Sequence, residues 1–288
     1  MGKYESLSKK WVGKNFEARD SLFAKHKDSL DFAFRNYKHL LLGSVGGLML
    51  LASPSSPAPL ALSAPHSLIT IEQSRLSSLA QAVPIEVRPL NKDEEEKIAK
   101  ILSKDYNLNV TAEIDGKKLN RSYGLIGGEQ HLFRFPGDTL LKHAENADDV
   151  AMYLPSGIAP GLGVWGYFSS SSKDFTEKDM LNERYYIAVQ TFLAPEFAQN
   201  IREYRDFFKY RKMLVVNPKT GQAVVAVIGD AGPAEWTEKH LGGSPEVMHY
   251  LGLGKGPRKG AVLYFFIDDP ENKIPLGPIE STLKIRFT

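Results

Sequence analysis

The feature that most restricts the fold is the series of short apolar and β-branched segments that begins at Gly163. These segments do not alternate regularly with helices. Strands are predicted at Val164–Phe168, Arg184–Phe192, Met213–Val216, Ala223–Ile228, Ala261–Ile267 and Thr282–Phe287. A doubly wound parallel sheet requires strand–helix alternation, whereas a small barrel accommodates short strands joined by turns. We therefore expect a six-stranded β-barrel over residues 161–288.

Two helices and a turn complete the prediction for this part of the chain. Glu196–Lys212 is rich in aromatic residues and is expected to be helical. Ser244 and Pro245 are typical of an N-cap followed by the first helical position, and the helix should end at Gly252. The segment Asn217–Gly221 has Pro and Gly where a hairpin loop needs them.

Residues 91–160 predict a small α+β region ahead of the barrel, so the whole fold is expected to be mainly β. Asn91 precedes an acidic turn, which favours a helix ending near Lys104. Asp115 and Gly116 predict a hairpin turn. A strand followed by a tight turn is predicted at Gly124–Phe135, and a helix at Ala144–Tyr153. Residues 155–163 are rich in Gly and Pro and are expected to form the loop that leads into a second domain.

The N-terminal part of the chain has the order of a secretory leader. Residues 1–38 contain nine Lys or Arg against five Asp or Glu, and residues 39–52 include the apolar run Leu40–Ala52. Thirteen helical residues reach roughly 20 Å, short of the roughly 30 Å hydrocarbon core, which favours a signal-peptide segment over a spanning helix. A Pro- and Ser-rich linker follows at residues 53–90.

Two alternatives for the apolar run remain open. One is an uncleaved membrane anchor with its basic end inside the cell, and the other is a core helix of a soluble protein. With a leader or an anchor, the bulk of the chain lies outside the cytoplasm, secreted or anchored at a bacterial cell envelope. The membrane is then a partner only if the segment is uncleaved.

Charge and cysteine content exclude several function classes. Lys and Arg number 36 against 34 Asp and Glu, so the chain carries no global positive charge for a nucleic acid, and none is expected as a partner. Cysteine is absent, which removes disulfides, thiolate nucleophiles and thiolate metal sites.

The block Met213–Leu251 resembles the rare lipoprotein A-like proteins. It contains an apolar strand, a turn with Asn and Gly, a Val-rich strand, the sequence Gly-Asp-Ala-Gly-Pro and a Ser-capped helix. The resemblance implies a double-psi β-barrel, as in expansins and barwin-like domains, and a similarity to membrane-bound lytic transglycosylase A and one class of endoglucanases. Asp230, Gly232 and Pro233 match the family's Asp and the turn that follows it. The family's Asp-Leu-Ser is replaced by Gly242-Gly243-Ser244, and its early His has no match near Tyr185–Gln190.

The resemblance makes Asp230 the candidate acid/base for cleaving a glycosidic bond, and Glu235 is the nearest carboxylate along the chain that could assist it. A lytic transglycosylase can work with one acid/base, whereas a hydrolase normally uses two carboxylates. Trp236, Trp165 and Tyr167 are candidates for stacking on a sugar. The competing structural interpretations are an Asx-turn for Asp230, an exposed surface position for Glu235 and packing for Trp236.

Glu129 and His131 are two residues apart in a predicted strand and should point to the same side. They are candidates for lining a substrate groove. They could instead hold one metal ion together, or pair with each other or with Arg134 to fix the contact between the two domains. We assign no metal site and no cofactor from the sequence.

Two functions remain in competition. The first is an exported envelope protein acting on glycan strands, with peptidoglycan as the expected partner, as a lytic transglycosylase or glycosidase. The second is a non-catalytic module that binds wall polysaccharide or a protein partner. The sequence leaves open whether the chain is an enzyme.

Overall fold

A computed structural model of the protein describes residues 78–281. The predicted leader at 1–38, the apolar segment at 39–52, most of the linker and the strand predicted at Thr282–Phe287 lie outside the described residues. Within residues 78–281, no helix combines the length and the apolar character needed to cross a bilayer.

Between Lys92 and Ile279 the chain forms ten strands and five α-helices. The strands are β1 (Val110–Thr111), β2 (Glu113–Ile114), β3 (Lys117–Lys118), β4 (Tyr123–Gly128), β5 (Tyr186–Val189), β6 (Lys212–Val216), β7 (Ala223–Ala231), β8 (Leu241–Gly243), β9 (Lys259–Ile267) and β10 (Gly277–Ile279). The helices are α1 (Lys92–Tyr106), α2 (Ala147–Met152), α3 (Glu177–Arg184), α4 (Ile201–Phe208) and α5 (Pro245–Tyr250).

Six of these strands close into a barrel, which confirms the expected barrel fold. Around the ring the order is β4, β8, β5, β7, β6, β9 and back to β4. The pairs β4·β8 and β5·β7 are parallel and the other four are antiparallel. β1 extends the sheet from β9, β10 extends it from β7, and β2 and β3 form a separate hairpin at the predicted turn.

The long apolar runs of β6, β7 and β9 are explained by burial on both faces. Alternate residues such as Val215 line the barrel interior, where they pack with Phe207 and Phe208 of α4. The residues between them, such as Leu214, pack under α1 against side chains that include Leu102. A strand covered on both sides has no solvent face, so its sequence loses the polar alternation of a half-exposed strand.

Helix α1 forms where the sequence predicts it. The Asn91 side chain accepts the backbone N–H of Glu94, and the Glu94 carboxylate accepts the backbone N–H of Asn91, which completes a capping box. The helix ends at Tyr106, because Asn107 turns left-handed with φ of 53°. Helix α5 also begins as predicted, with Ser244 as the N-cap and Pro245 at the first position.

The structure differs from the prediction at two elements and in the origin of two barrel strands. Residues 164–168 form no strand, because the chain turns at Gly163 and Gly166. The helix predicted over Glu196–Lys212 is confined to α4, since Lys212 already pairs in β6. The barrel instead takes one strand from β4, which overlaps the strand predicted ahead of the barrel, and one from β8, a Gly-containing segment where no strand is predicted.

The expected boundary at residue 161 does not separate two sheets. β4, which comes from the middle region, lies between β8 and β9 in the ring. The described residues on both sides of the boundary also belong to one compact unit. The middle region is therefore an integral part of the barrel and does not form a separate domain.

A bulge in β7 sets the direction of the residue that follows it. In the parallel pair β5·β7, Ile187 is opposite Ile228 but Ala188 is opposite Asp230, so Gly229 is an extra residue. An inserted residue reverses the face to which the rest of the strand points. Ile228 thus lies in the barrel interior, while Asp230 shares the outer face with Ala188.

We predict that Gly229→Ala destabilises the protein by about 1 to 3 kcal/mol, because a β-carbon at residue 229 would lie 2.6 Å from the β-carbon of Tyr186. Urea unfolding measures the change. Gly161→Ala is the control, since a β-carbon there meets no atom within 4 Å. Equal stability of the two variants would contradict the tight approach at the bulge.

Candidate functional site

The candidate site lies on the outer face of the barrel, where three strands run side by side. Strand registers place Gly242 of β8 opposite Ala188 of β5, and Ala188 opposite Asp230 of β7. Residues paired across strands point to the same face of a sheet, so these three form a row across about 10 Å. Ala188 and Gly242 are both buried, so other parts of the chain cover this row.

The Asp230 carboxyl group is half buried and anchored by one of its two oxygens. Its Oδ1 accepts the backbone N–H groups of Val164 at 2.6 Å and Ala231 at 2.8 Å. No hydrogen bond from the residues at 78–281 reaches Oδ2. Burial raises the pKa of Asp230, and the two backbone hydrogen bonds oppose that rise. The Asx-turn interpretation is wrong, because the backbone N–H of Gly232, two residues on, donates to the carbonyl oxygen of Val189. One carboxylate oxygen instead holds Val164 and Ala231, and the other is available to a ligand.

Glu129 reaches the same row from the end of β4. Its backbone N–H donates to the carbonyl oxygen of Gly243 at 2.8 Å, and its side chain lies over Gly242. A β-carbon at residue 242 would overlap the Glu129 side chain, so any larger residue there would displace the Glu129 carboxyl group. Lys239 Nζ lies 3.3 Å from Glu129 Oε1.

Asp230 and Glu129 are electrostatically coupled. Burial raises the pKa of Glu129, Lys239 lowers it, and the negative charge of Asp230 raises it further. The Glu129 side chain remains 30% exposed, so it is accessible from solvent. The outer face of the barrel therefore carries two carboxyl groups with raised pKa values and one ammonium group.

The loop that joins β7 to β8 runs from the end of the strand that carries Asp230 to the strand that lies under the Glu129 side chain. Gln190 Nε2 donates to the carbonyl oxygens of Pro233 at 3.0 Å and Lys239 at 3.3 Å, which fixes both ends of the loop. Glu235 lies exposed in the 3₁₀ turn Glu235–Thr237, and among the described residues no hydrogen bond or charge interaction links it to Asp230. The carboxyl group that does interact with the charge of Asp230 belongs to Glu129, which is distant along the chain.

The aromatic candidates occupy different environments. Trp236 is 86% exposed on the β7–β8 loop, and Tyr167 is exposed on the segment that covers Asp230. Trp165 is half buried, donates from its indole N–H to the carbonyl oxygen of Ile228 at 3.1 Å and packs against the core. Trp236 and Tyr167 are therefore accessible to a ligand, whereas Trp165 serves mainly to hold the covering segment.

His131 does not line a groove with Glu129, contrary to the expectation from strand alternation. β4 ends at Gly128, so the alternation does not continue, and His131 is completely buried. Its Nδ1 lies 3.2 Å from Oε1 of Glu183, whose Oε2 lies 3.1 Å from Nδ1 of His143. Burial opposes ionisation of Glu183, but the two histidines outweigh it and lower the Glu183 pKa to about 2.

Sequence reasoning missed the residues that surround His131. Glu183 lies in a short polar helix, and His143 lies in a 3₁₀ turn, with no spacing motif that relates either residue to His131. A second missed carboxyl group, Glu246 of α5, is 2% exposed and has one oxygen without a partner among the described residues. A scan against protein-family models and searches of curated proteins and of solved structures gave no match.

We predict that Asp230→Asn lowers the pKa of Glu129, because the substitution removes the negative charge that raises it. NMR titration of the labelled Glu129 side chain measures the shift. Glu235→Gln is the control and should leave this pKa unchanged. A Glu129 pKa that does not move in the Asp230 variant would show that the two carboxyl groups do not interact.

We also predict that Glu246→Gln makes the stability less dependent on pH. Burial raises the Glu246 pKa to about 8, with a further rise from Glu183, so the wild-type protein loses free energy of unfolding as the pH increases from about 4.5 to 8. One pKa unit corresponds to about 1.4 kcal/mol, which makes the loss several kcal/mol.

Urea unfolding of the wild type and of Glu246→Gln at pH 5 and pH 8.5 measures this effect. The variant should be the more stable of the two at pH 8.5. Glu235→Gln, at an exposed position, should keep the wild-type pH dependence. Parallel losses in the wild type and Glu246→Gln would exclude Glu246 as the cause.

Proposed function

We propose that the protein acts on glycan strands of the cell wall, with peptidoglycan as substrate, and that Asp230 and Glu129 carry the chemistry. The observation that carries this proposal is the position of Glu129. The rare lipoprotein A-like sequences have an Asp where this chain has Gly242, and here the Glu129 carboxyl group occupies the space above that glycine. The carboxylate that the family supplies at this position is thus supplied here by Glu129, which follows a different strand.

The strand order supports the finer fold assignment that accompanies this proposal, a double-psi β-barrel. The pairing pattern of the ring is symmetric: when β4, β5 and β6 are swapped with β7, β8 and β9, respectively, every strand pair and its parallel or antiparallel sense is reproduced. Two interlocking three-strand halves of this kind are what the resemblance to rare lipoprotein A-like and barwin-like domains implies. The proposed assignment also agrees with the position of Asp230 at the end of the Val-rich strand.

In the proposed reaction, a protonated carboxyl group of the pair donates its proton to the glycosidic oxygen as the bond to the anomeric carbon breaks. A hydroxyl group of the same sugar attacks that carbon, and its proton returns to the carboxylate. No water is consumed, and the product is an anhydro-sugar. The raised pKa values of Asp230 and Glu129 favour this role, because a general acid needs a pKa near the working pH.

In a hydrolase, the second carboxylate would instead activate a water molecule as a general base, or attack the anomeric carbon as a nucleophile. The products distinguish the two reactions, since hydrolysis leaves ordinary reducing ends. With an N-terminal leader or anchor at residues 1–52, this chemistry takes place outside the cytoplasm at a bacterial envelope.

The test is incubation of the full chain with purified peptidoglycan, with products identified by mass spectrometry. We expect anhydro-sugar products, and a loss of about 10²- to 10⁴-fold in rate for Asp230→Asn and Glu129→Gln. Gly242→Ala should also reduce the rate, because it displaces the Glu129 carboxyl group without removing a charge. Glu235→Gln and Gly161→Ala are matched controls that should retain activity. Full activity in Glu129→Gln would refute its role.

Binding without catalysis is the second candidate function, and the exposure of Trp236 favours it. A ring that is 86% exposed on the loop between β7 and β8 is suited to stacking on a sugar. Retention of the protein on peptidoglycan with no released products, and loss of retention in Trp236→Ala, would support a binding module. Absence of both products and retention would contradict both functions.

A further inference from the structure

Three separate parts of the chain bring metal-binding side chains to one buried point. His131 lies just beyond β4, His143 ends the 3₁₀ turn Leu140–His143, and Glu183 belongs to α3. Their ligand atoms all lie within 4.8 Å of one another. The side chains are at most 3% exposed, so the cluster is shielded from bulk water.

Both imidazole rings turn the same nitrogen toward the same carboxylate. Nδ1 of His131 and Nδ1 of His143 lie 3.2 Å and 3.1 Å from the two oxygens of Glu183. Nitrogen and oxygen atoms that share a metal ion at about 2.0 to 2.2 Å are separated by similar distances. On its other side, His131 Nε2 has no partner among the described residues, so the ring is fixed through Nδ1.

The donor set selects the class of ion. Two imidazoles and one carboxylate suit Zn²⁺ and related transition metals, whereas Mg²⁺ and Ca²⁺ prefer oxygen ligands. The chain contains no Cys, so histidine and carboxylate are the donors available for such a site.

The surroundings of His143 match the outer support of histidine metal ligands. Its Nε2 lies 2.9 Å from Oδ2 of Asp138, which also accepts the backbone N–H of Arg134 at 3.0 Å. A carboxylate bound to the second ring nitrogen orients the imidazole and increases its basicity as a ligand. His143 and Glu183 also border a cavity of about 250 Å³, which provides space for an ion to enter and for a further ligand.

We propose that His131, His143 and Glu183 bind one divalent transition-metal ion of the zinc class. The ion fastens the segment that follows Glu129 to α3, and it thereby holds one wall of the glycan site in place. Its role is structural and does not depend on the proposed chemistry at Asp230.

The test is titration of the full, chelator-treated chain with Zn²⁺ by calorimetry and with Co²⁺ by visible absorption, together with thermal unfolding. We expect a site of one equivalent, a rise in Tm on addition of Zn²⁺ and visible bands typical of nitrogen and oxygen ligands. Glu183→Gln and His143→Gln should lose this equivalent. Asp138→Asn, which removes only the supporting carboxylate, should weaken binding by about 10- to 100-fold.

Matched controls separate this site from adventitious binding. His249→Gln and Glu145→Gln replace a histidine and a cavity-lining carboxylate outside the cluster and should keep the wild-type affinity. Asp230→Asn should also bind Zn²⁺ normally, so failure of the glycan proposal does not affect this result.

Two outcomes would overturn the proposal. One is the absence of Zn²⁺ binding by the wild type. The cluster would then be a hydrogen-bonded network in which His143 is bonded to both Asp138 and Glu183. The other is unchanged affinity in folded His143→Gln. Circular dichroism establishes folding, and if Glu183→Gln fails to fold, His143→Gln and Asp138→Asn provide the test.

Discussion

The pairing of β4 with both β8 and β9 is the constraint on which the rest of the structure depends. Without β4 the remaining five strands form an open sheet with two unpaired edges, which a small barrel avoids by closure. Since β4 ends at Gly128, the chain that follows must start at the rim of the barrel. Closure therefore places Glu129 on the outer face beside Asp230.

The segment beyond Glu129 carries an unusual density of buried charge. Glu183, Asp138, His143 and Arg134 lie within one hydrogen-bonded network, while Glu246 lies beside it and has a raised pKa. A buried charge is costly unless a partner compensates it. Removal of one member would therefore leave the others buried without a partner. The network also joins the loop after β4 to α3, the helix that leads directly into β5.

Much of the fold is predictable because the signals are local. The cap at Asn91, the Ser244-Pro245 helix start and the runs of β6, β7 and β9 depend on neighbouring residues or on periodicity, and the structure has each of them. The sequence does not identify β4 and β8 as barrel strands, because they are short and rich in glycine. The glycine at 242 is explained by Glu129, a contact between residues more than a hundred positions apart.

The sequence by itself indicated a small barrel of short strands, the apolar runs of β6, β7 and β9, and the position of Asp230 at the end of the Val-rich strand. These properties follow from composition and spacing within single segments. Only the tertiary structure decided which carboxylate interacts electrostatically with Asp230, which is Glu129 and not the nearby Glu235. It also brought His131, His143 and Glu183 to one point. The physical reason is that ring closure and the bulge at Gly229 set side-chain directions across strands, and no local pattern encodes either of them.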